Sequence, residues 1–407
     1  MGLKDRLNVV IFAQYYPPDL GGSATRVQNV AKGLFLNGCD VTVVAAFPHY
    51  PYGKIPDKYK WKPMVIEYEG GLRVIRTFIF PLKSEGLLKR LLLIGAYAIS
   101  SLFSYPLLIN SQVIWSSSWI PSVIYSKLRK IPVALNVDDL TLEEIPDLKI
   151  LGKDSIILKI GKIIYGFFYR QGDIITPISP GYINVISSRY GISKERFRVV
   201  LAGVDLSTFY PKSRKTLNSN EFVVLYIGAL SIAYDFDQII QAAKFLINEK
   251  PDVLFIIQGS GEEYAKIRQS IKESNLKNVI LIDKIVSRFE VANVLNSANV
   301  LILPLKTFNK PYLGLSTKIY EYQAVGKPII CCAEGAPAEY VARSQSGVIV
   351  HPGDYRSLAN KIIYLMNNID ATEKMGINGR NYVEKHVSIM AIGKNLKVVL
   401  LKLIYTR

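Results

Sequence analysis

The chain has 407 residues, 49% of them hydrophobic and 20% charged, which excludes an extended disordered protein and leaves room for two domains with separate cores. Fifty basic and thirty-three acidic residues give a net charge of +17, which indicates an anionic partner. A nucleotide, a nucleic acid and an anionic membrane face all fit, but nucleic acid ranks last because aromatic and basic residues are not interleaved in repeats.

Cysteine usage and the amino terminus predict a cytoplasmic setting. Cys39, Cys331 and Cys332 form neither a CxxC pair nor a disulfide framework, which favours a reducing compartment. Residues 1–8 are too short and polar for a signal peptide, and the apolar run that follows them is typical of a strand.

The first predicted unit is a strand, a glycine-containing loop and a helix. The strand covers Val9–Ala13, the helix covers about Thr25–Leu36, and a second strand follows at Asp40–Ala45. Gly21 and Gly22 in the loop would let a ligand approach the backbone with no Cβ in the way. No GxGxxG is present, so this is not a dinucleotide fingerprint, and a glycine pair after two prolines is also typical of a plain turn.

An aromatic-rich loop, Phe47–Lys54, follows the second strand and contains His49, one of only three histidines. The imidazole could transfer a proton or hydrogen-bond a ligand hydroxyl. A lone loop histidine between prolines is more often structural, so both interpretations stay open.

Leu91–Ile109 is nineteen residues without a charge, and basic residues precede it. Its length would allow it to span a bilayer, but Pro106 and the serine-rich interior argue against crossing. An interfacial helix and a buried core helix remain as equal alternatives. A second basic and apolar stretch, Ile156–Arg170, has Lys159 and Lys162 on one face and strengthens the interfacial interpretation.

The remaining elements of the first half continue the alternation of strands and helices. The predicted strands are Gln112–Trp115, Ile131–Val137 and Asp173–Thr176, and the predicted helices are Pro121–Leu128 and Pro180–Tyr190. Asp138 and Asp139 follow the second of these strands. Paired acids can hold a metal, but adjacent acids after a strand point to opposite sides and are more typical of a solvated cap.

The second half repeats the pattern after a polar run, Lys212–Glu221, whose composition is typical of an interdomain linker. The predicted strands are Phe222–Ile227, Val253–Gln258 and Val279–Leu281, and the predicted helices are Phe236–Ile247, Glu263–Ser274, Phe289–Ser297 and Met390–Ile404. Gly228 opens the loop after the first strand, and Gly259 and Gly261 form a turn after the second.

A short buried strand, Val300–Leu303, leads through a polar loop into a helix, Thr317–Val325, that stops at Gly326. The helix start would present unpaired N–H groups and the positive end of the helix dipole at Ser316 and Thr317, and Lys318 adds a charge, which suits a phosphate. Glu321 lies one turn further on the same face and could hold hydroxyl groups. A nucleoside diphosphate has both features. The alternative is a lone ion pair between the lysine and the glutamate on a solvated face.

This segment resembles the carboxyl-terminal signature of GT-B glycosyltransferases of family four, retaining enzymes that move a sugar from a nucleotide donor. One branch of the family, which largely builds surface polysaccharides and lipid-linked glycans, reads S-K before E-Y-x-A-x-G-K-P. Eight residues of this chain match that motif: Ser316, Lys318, Glu321, Tyr322, Ala324, Gly326, Lys327 and Pro328. The commoner form of the signature has a first glutamate where this chain has Leu313.

Other loops also resemble the family. The Y-x-P-P-x-x-G-G loop ends at Gly21 and Gly22, the P-x-Y-P-x-G-K loop contains His49, and Asp139 matches part of x-D-L-W-P, whose Trp-Pro is absent here. A further motif, N-G-V-D-x-x-x-F-x-P, retains Gly203, Val204, Asp205, Phe209 and Pro211. The family's positive clamp of an arginine and a Lys-Gly pair is missing, because Ala229 and Tyr234–Phe236 stand in its place.

The resemblance implies an α/β GT-B fold of two Rossmann-like parallel-sheet domains facing across a cleft. One domain would be 1–205, joined by the last helix, 389–407, and the other 206–388. It also implies a retaining transfer from a nucleotide-sugar, UDP-sugar favoured over GDP-sugar, to a lipid-linked or polysaccharide acceptor at the cytoplasmic face of an anionic membrane. No metal or other cofactor is expected. The alternatives are a catalytically silent nucleotide-sugar-binding module and a GT-B sugar-nucleotide epimerase.

The same resemblance assigns roles to the candidate residues. Lys318 and Glu321 would be catalytic, with the glutamate holding the ribose and the lysine binding the diphosphate. The other donor-binding residues would be Gly21, Gly22, Gly228, Gly259, Gly261, Ser316 and Thr317. His49 and Asp139 would lie on the acceptor side.

Overall fold

A computed structural model describes residues 6–83, 86–140, 142, 155–212, 221–307 and 312–405. The chain divides into two compact units, Met1–Gly203 with Ile389–Arg407, and Val204–Ser388. The sequence-based division placed the first junction two residues later, between 205 and 206.

The first unit is built on a seven-stranded sheet in the order β3-β4-β2-β1-β5-β6-β7. Its strands are β1 Leu7–Ala13, β2 Cys39–Ala46, β3 Met64–Glu69, β4 Leu72–Thr77, β5 Val113–Ser116, β6 Val133–Val137 and β7 Ile174–Pro177. All neighbours run parallel except β3, which pairs antiparallel with β4 at the sheet edge. Parallel strands that are covered by helices on both faces are expected to be continuous apolar runs, and β1 fits this expectation, whereas β4 contains Arg73 and Arg76.

The first five α-helices in the described part of this unit are α1 Gly22–Leu36, α2 Leu87–Ser100, α3 Trp119–Arg129, α4 Ile156–Gln171 and α5 Gly181–Tyr190. The prediction that α1 begins at Thr25 is wrong. Its first turn is already closed by the Thr25 N–H, which donates to the Gly21 carbonyl at 3.2 Å, so Gly22 is a helical residue.

The predicted apolar helix at Leu91–Ile109 is two pieces, α2 and a 3₁₀ helix, Ser101–Leu108, that contains Pro106. By length and composition alone, Leu88–Leu108 is long and apolar enough to cross a membrane, with a mean hydropathy of 1.7. One face of α2 is buried, since the Tyr97 hydroxyl donates to the Val44 carbonyl of β2 at 2.7 Å. The other face is exposed, so the core-helix alternative accounts for only part of the stretch.

The second unit has a six-stranded parallel sheet in the order β10-β9-β8-β11-β12-β13. Its strands are β8 Phe222–Ile227, β9 Val253–Gln258, β10 Val279–Ile282, β11 Val300–Pro304, β12 Ile329–Cys332 and β13 Gly347–Val350. Its helices are α6 Phe236–Leu246, α7 Tyr264–Glu273, α8 Arg288–Asn296, α9 Thr317–Ala324, α10 Ala336–Ser344, α11 Tyr355–Asn367 and α12 Ile369–His386. One apolar core lies under this sheet and includes Val224, Phe255 and Ile302.

The chain passes from the first unit to the second at a different position from the predicted linker. Residues 213–220 of the polar run lie outside the described residues. Val204 already belongs to the second unit, because its N–H donates to the Val387 carbonyl at 3.0 Å. Lys212 is held in the same unit, where its N–H donates to Asn296 Oδ1 at 2.8 Å. The chain therefore changes units between Gly203 and Val204, before the run that composition marked as the linker.

The last helix, α13 Ile389–Tyr405, belongs to the first unit and packs against α1. Two glycines allow this close crossing, since a Cβ on Gly33 would lie 2.4 Å from the Ile389 carbonyl oxygen, and one on Gly393 would lie 2.1 Å from the Gly33 carbonyl carbon. The Lys397 ammonium donates to the Asn37 carbonyl at 2.7 Å, at the end of α1. A cation there suits the negative end of the helix dipole.

Candidate functional site

The start of α9 brings together residues that the sequence analysis singled out separately. Lys318 lies across Gly228, where an added Cβ would be 2.4 Å from the lysine Cε and 2.6 Å from its Nζ. Gly228 has a φ of +151°, which few other residues adopt. The Ser316 side chain does not cap the helix, so it leaves the first-turn N–H groups of α9 to other partners.

Aromatic rings surround the lysine ammonium. Nζ lies 5.2 Å from the centre of the Tyr234 ring and 5.7 Å from that of Tyr226, and it donates to the Tyr234 hydroxyl at 3.3 Å. Burial raises the pKa of Tyr226 well above its usual value, so this ring stays a neutral phenol. Tyr234, which stands in the sequence where the family has its Lys-Gly pair, thus contacts the Lys318 ammonium through both its hydroxyl group and its ring.

Glu321 pairs with Arg288 of α8, not with Lys318. The distance from Oε1 to the arginine Nη1 is 2.7 Å, and the glutamate side chain is 9% exposed. The alternative of a lysine–glutamate pair on a solvated face is therefore wrong, because the carboxylate is buried and held by another helix. The arginine guanidinium also stacks over the Phe209 ring at 4.9 Å.

Arg288 is a site residue that the sequence analysis missed. Ser287 and Glu290 form a capping box, which makes Arg288 the first residue of α8. A cation at the positive end of a helix dipole is locally unfavourable. The S-x-x-E pattern predicts that the helix starts at Arg288, but the pairing of this arginine with Glu321 is visible only in the folded structure.

The glycines of the two neighbouring loops are required by backbone packing. A Cβ on Gly259 would lie 1.8 Å from the Gly228 carbonyl oxygen, and one on Gly261 would lie 2.3 Å from the Leu230 carbonyl oxygen. The loops are joined by hydrogen bonds from Gly228 N to Gln258 O and from Leu230 N to Ser260 O, each 3.0 Å. Contact of these glycines with a nucleotide stays a prediction.

In the first unit, Asp19 joins the two predicted loops. Its Oδ1 accepts from the N–H groups of His49 and Tyr50, each at 2.8 Å. The imidazole Nδ1 lies 2.9 Å from the Phe47 carbonyl, which can only accept, so Nδ1 carries the proton. Burial raises the pKa of Asp19, and the nearby His49 and Arg76 oppose this rise.

The opposite edge of the His49 ring is unsatisfied. His49 is 3% exposed, and its Nε2 has no hydrogen-bond partner among the described residues. With Nδ1 protonated, a neutral imidazole presents a lone pair at Nε2, which can accept from a hydroxyl. A buried polar atom without a partner is costly, so His49 Nε2 is a candidate acceptor for a ligand hydroxyl group.

The remaining predicted site residues of the first unit are the two glycines at the start of α1 and the acidic pair after β6. A Cβ on Gly22 would meet nothing within 4 Å, and one on Gly21 would lie 3.8 Å from the Tyr50 ring. Asp138 accepts from Ser23 Oγ at 3.1 Å and lies 3.3 Å from Arg26 Nε, at the start of α1. Asp139 has an exposed surface instead, but the protein packed around its carboxyl and the neighbouring Asp138 raise the pKa of this group. Within the described ranges, no three His, Cys, Asp or Glu side chains gather to hold a metal ion.

Two family models match the chain. Residues 20–208 match Glycosyltransferase Family 4, and residues 211–382 match Glycosyl transferases group 1. The chain belongs to the family-four glycosyltransferases. The two α/β units with parallel sheets have the GT-B fold, as the resemblance implied.

Relatives and solved structures agree with this placement. The capsular polysaccharide biosynthesis glycosyltransferase CapM of Staphylococcus aureus is 30% identical over 52% of this chain and 52% of its own, so the chain spans about half of that relative. The fold is similar to sucrose-phosphate synthase from Thermosynechococcus elongatus, with a TM-score of 0.75, 18% identity, and 99% and 100% of the two chains covered. Anabaena HepE in complex with UDP and glucose has a TM-score of 0.67 at 15% identity, covering 97% and 99%.

Proposed function

We propose that the protein is a retaining glycosyltransferase that moves a sugar from a nucleotide-sugar to a lipid-linked or polysaccharide acceptor. The observation that carries the proposal is the α9 start, where Lys318 crosses Gly228 and Glu321 is held one turn further on by Arg288. A cation, helix N–H groups and a buried carboxylate at this spacing suit a diphosphate attached to a ribose.

The diphosphate would sit at Lys318, Gly228 and the helix start at Ser316 and Thr317. As the sugar C1–O bond to the phosphate breaks, negative charge grows on the departing oxygen, and a fixed ammonium with helix N–H groups stabilises it. The acceptor hydroxyl forms the new bond to C1, and its proton leaves with the nucleoside diphosphate. No metal ion is required by this arrangement, so we expect activity to persist in excess EDTA.

The ribose would be bound by Glu321, whose ionised oxygens accept from hydroxyl groups. Arg288 already holds Oε1 at 2.7 Å, which fixes the carboxylate without help from Lys318. The base is proposed to be uracil. Support comes from the likeness to Anabaena HepE, a protein solved in complex with UDP and glucose.

The acceptor would contact the loops of the first unit. His49 Nε2 is a buried acceptor for a hydroxyl group, and Asp139 is an exposed carboxylate after β6. The likeness to CapM, whose name describes capsular polysaccharide biosynthesis, supports a glycan or its lipid-linked precursor as acceptor.

We place the protein at the cytoplasmic face of an anionic membrane. α4 exposes Ile156, Ile160, Ile163 and Phe167 together with Lys159, and Lys162 is partly exposed. Apolar side chains beside basic ones suit the headgroup region of a bilayer, where each basic residue contributes about 1 kcal/mol of attraction. The three cysteines are free and buried, in keeping with a reducing compartment.

Turnover of UDP-sugars and GDP-sugars with a crude lipid extract tests the proposal. We expect a sugar-lipid product from a UDP-sugar, with the anomeric configuration of the donor kept when the linkage is read by NMR. Hydrolysis without transfer, or an inverted product, would overturn it. A thermal-shift panel of UDP, GDP and their sugars identifies the base independently of turnover.

A catalytically silent nucleotide-sugar-binding module is the second candidate. It is favoured by Ala229 and Leu313, which stand where the family has a cation and a glutamate. Such a module would bind UDP in the thermal-shift panel and produce no transfer with any extract. The epimerase alternative has no such support, since it needs further acids at the site.

A further inference from the structure

One loop of the first unit displays a tryptophan to solvent. Trp61 is 100% exposed and has a φ of +61°, a backbone conformation that is uncommon for a bulky residue. A short 3₁₀ helix, Asp57–Tyr59, precedes it, and lysines stand on both sides, Lys60 and Lys62. Packing within the protein does not explain a tryptophan at this position, because its indole is fully exposed.

The loop is fixed and not loose. The Tyr59 ring is buried and stacks on Phe47 at 4.9 Å between ring centres. Backbone hydrogen bonds close the turn from Lys60 N to Asp57 O at 3.1 Å and from Lys62 N to Tyr59 O at 3.3 Å. The indole is therefore held outward by an ordered turn.

The loop lies beside the exposed apolar helix α2. Tyr59 belongs to the same buried cluster as Leu93 and Tyr97, which form the inner face of α2. The outer face of that helix exposes Leu88 and Leu91. The Trp61 loop and this helix thus share one apolar cluster on the inside while both present apolar side chains to solvent.

The charge of the loop is basic. Residues 54–62 contain four lysines and one aspartate, a net charge of 4 − 1 = +3, although Lys58 pairs with Glu67 at 2.8 Å and Lys60 with Asp57 at 2.6 Å. Lys89 and Arg90 add charge at the start of α2. Tryptophan between lysines, next to leucines, matches the amphipathic region where lipid headgroups meet acyl chains.

We propose that the Trp61 loop is an interfacial anchor for an anionic lipid bilayer. The indole enters the headgroup region, while Lys60 and Lys62 lie among the lipid phosphates. This inference rests on the proposed membrane association and adds a specific anchor that the two apolar helices do not supply. Phe47, the stacking partner of Tyr59, opens the Phe47–Lys54 loop, so the anchor would hold the proposed acceptor loop close to a lipid-linked acceptor.

Vesicles of phosphatidylglycerol and phosphatidylcholine test the anchor through flotation and tryptophan fluorescence. Of the other two tryptophans, Trp115 is buried and Trp119 is partly buried against Tyr165 and Tyr169 of α4. The difference between the wild type and Trp61→Phe therefore isolates the signal of Trp61 from that of Trp119. We expect a blue shift and quenching in the wild type, and we expect Trp61→Phe to lose most of the quenching.

Flotation of variants completes the test. We expect Trp61→Ala to float several-fold less at low salt, and Lys60→Gln with Lys62→Gln to float roughly tenfold less, since each basic residue strengthens the attraction to anionic lipid. Tyr364→Ala, an exposed aromatic in the second unit, is the matched control and should float like the wild type. Unchanged melting temperatures show that the variants fold.

The outcomes separate this inference from the membrane proposal. Wild-type protein that stays in the soluble fraction would overturn both. Wild-type protein that floats, with Trp61 unquenched and Trp61→Ala floating equally, would overturn the anchor alone and leave binding to the helices. Equal flotation with neutral vesicles would overturn the role of the two lysines.

Discussion

The loops at the carboxyl edges of the two sheets differ in how their polar side chains are partnered. In the second unit the charged groups have protein partners, Lys318 with Tyr234 and Glu321 with Arg288. In the first unit, four buried polar atoms in the loops after β1 and β2 lack a hydrogen-bond partner among the described residues: Gln14 Nε2, Tyr16 Oη, Asp19 Oδ2 and His49 Nε2. Gln238 Oε1 and Asn278 Oδ1 lack one in the described part of the second unit. In the function proposed above, the preorganised charges bind the donor, and the unsatisfied atoms of the first unit accept hydrogen bonds from the acceptor or donate them to it.

The largest expected effect comes from removing the preorganised cation. We expect Lys318→Ala to lower turnover by roughly 10²- to 10³-fold, the usual loss when a group that stabilises developing charge is deleted. The melting temperature should change little, because the ammonium lies at the edge of the core. Steady-state kinetics and thermal unfolding measure both, with the exposed Lys361→Ala as control. Equal losses of rate and stability would refute the role.

The pair that holds the carboxylate is expected to matter next. We expect Glu321→Gln to weaken UDP binding by about 10- to 100-fold, the range for a hydrogen bond to a charged group. Arg288→Ala should weaken it less, and the double variant should show non-additivity. Pyrophosphate, which lacks a ribose, should bind all four proteins alike. If pyrophosphate binding fell in parallel with UDP binding, the ribose assignment would be wrong.

A smaller effect is expected in the first unit. His49→Ala should raise the KM for the acceptor by roughly three- to tenfold, the value of a neutral hydrogen bond, and leave the affinity for UDP unchanged. Kinetics at varied acceptor concentration measure the change, and His351→Ala in the second unit is the control. A change in UDP affinity with no change in acceptor KM would contradict the proposed division of labour.

The smallest effect concerns stability against pH. Burial raises the pKa of Asp19, so its contribution to stability is present in full below the unfolded pKa of about 3.9 and is lost as pH rises through the folded value. Asp19→Asn keeps an Oδ1 acceptor for the His49 and Tyr50 N–H groups and does not titrate. Its stability relative to the wild type should therefore increase from acid to neutral pH. Urea unfolding across this range measures it, and a constant difference would contradict the assignment.

The sequence predicted the buried central strands better than the strands near the edge of the first sheet. The strands Phe222–Ile227 and Val253–Gln258 were predicted with the bounds observed, because buried parallel strands are continuous apolar runs. The edge strand β3 and its neighbour β4 were missed, since Glu67 in β3 and Arg73 and Arg76 in β4 interrupt the apolar pattern. A sequence shows periodicity along one element, and edge strands are defined by their neighbours.

For the site residues too, the sequence predicted features within one element and missed contacts between elements. The spacing of Lys318 and Glu321 within one helix was readable, and so was the glycine that Lys318 crosses. The partner of Glu321 comes from another helix, and the reason for Gly259 is the carbonyl of Gly228 on a neighbouring loop. Contacts of this kind depend on tertiary packing, which no local pattern contains. The unsatisfied Nε2 of His49 is likewise visible only once the loop is folded.

The most direct measurement is a calorimetric titration of UDP into the wild type, Lys318→Ala and the Lys361→Ala control. The account predicts saturable binding to the wild type and the control, and at least tenfold weaker binding to Lys318→Ala at an unchanged melting temperature. UDP binding of equal strength to all three proteins would contradict it.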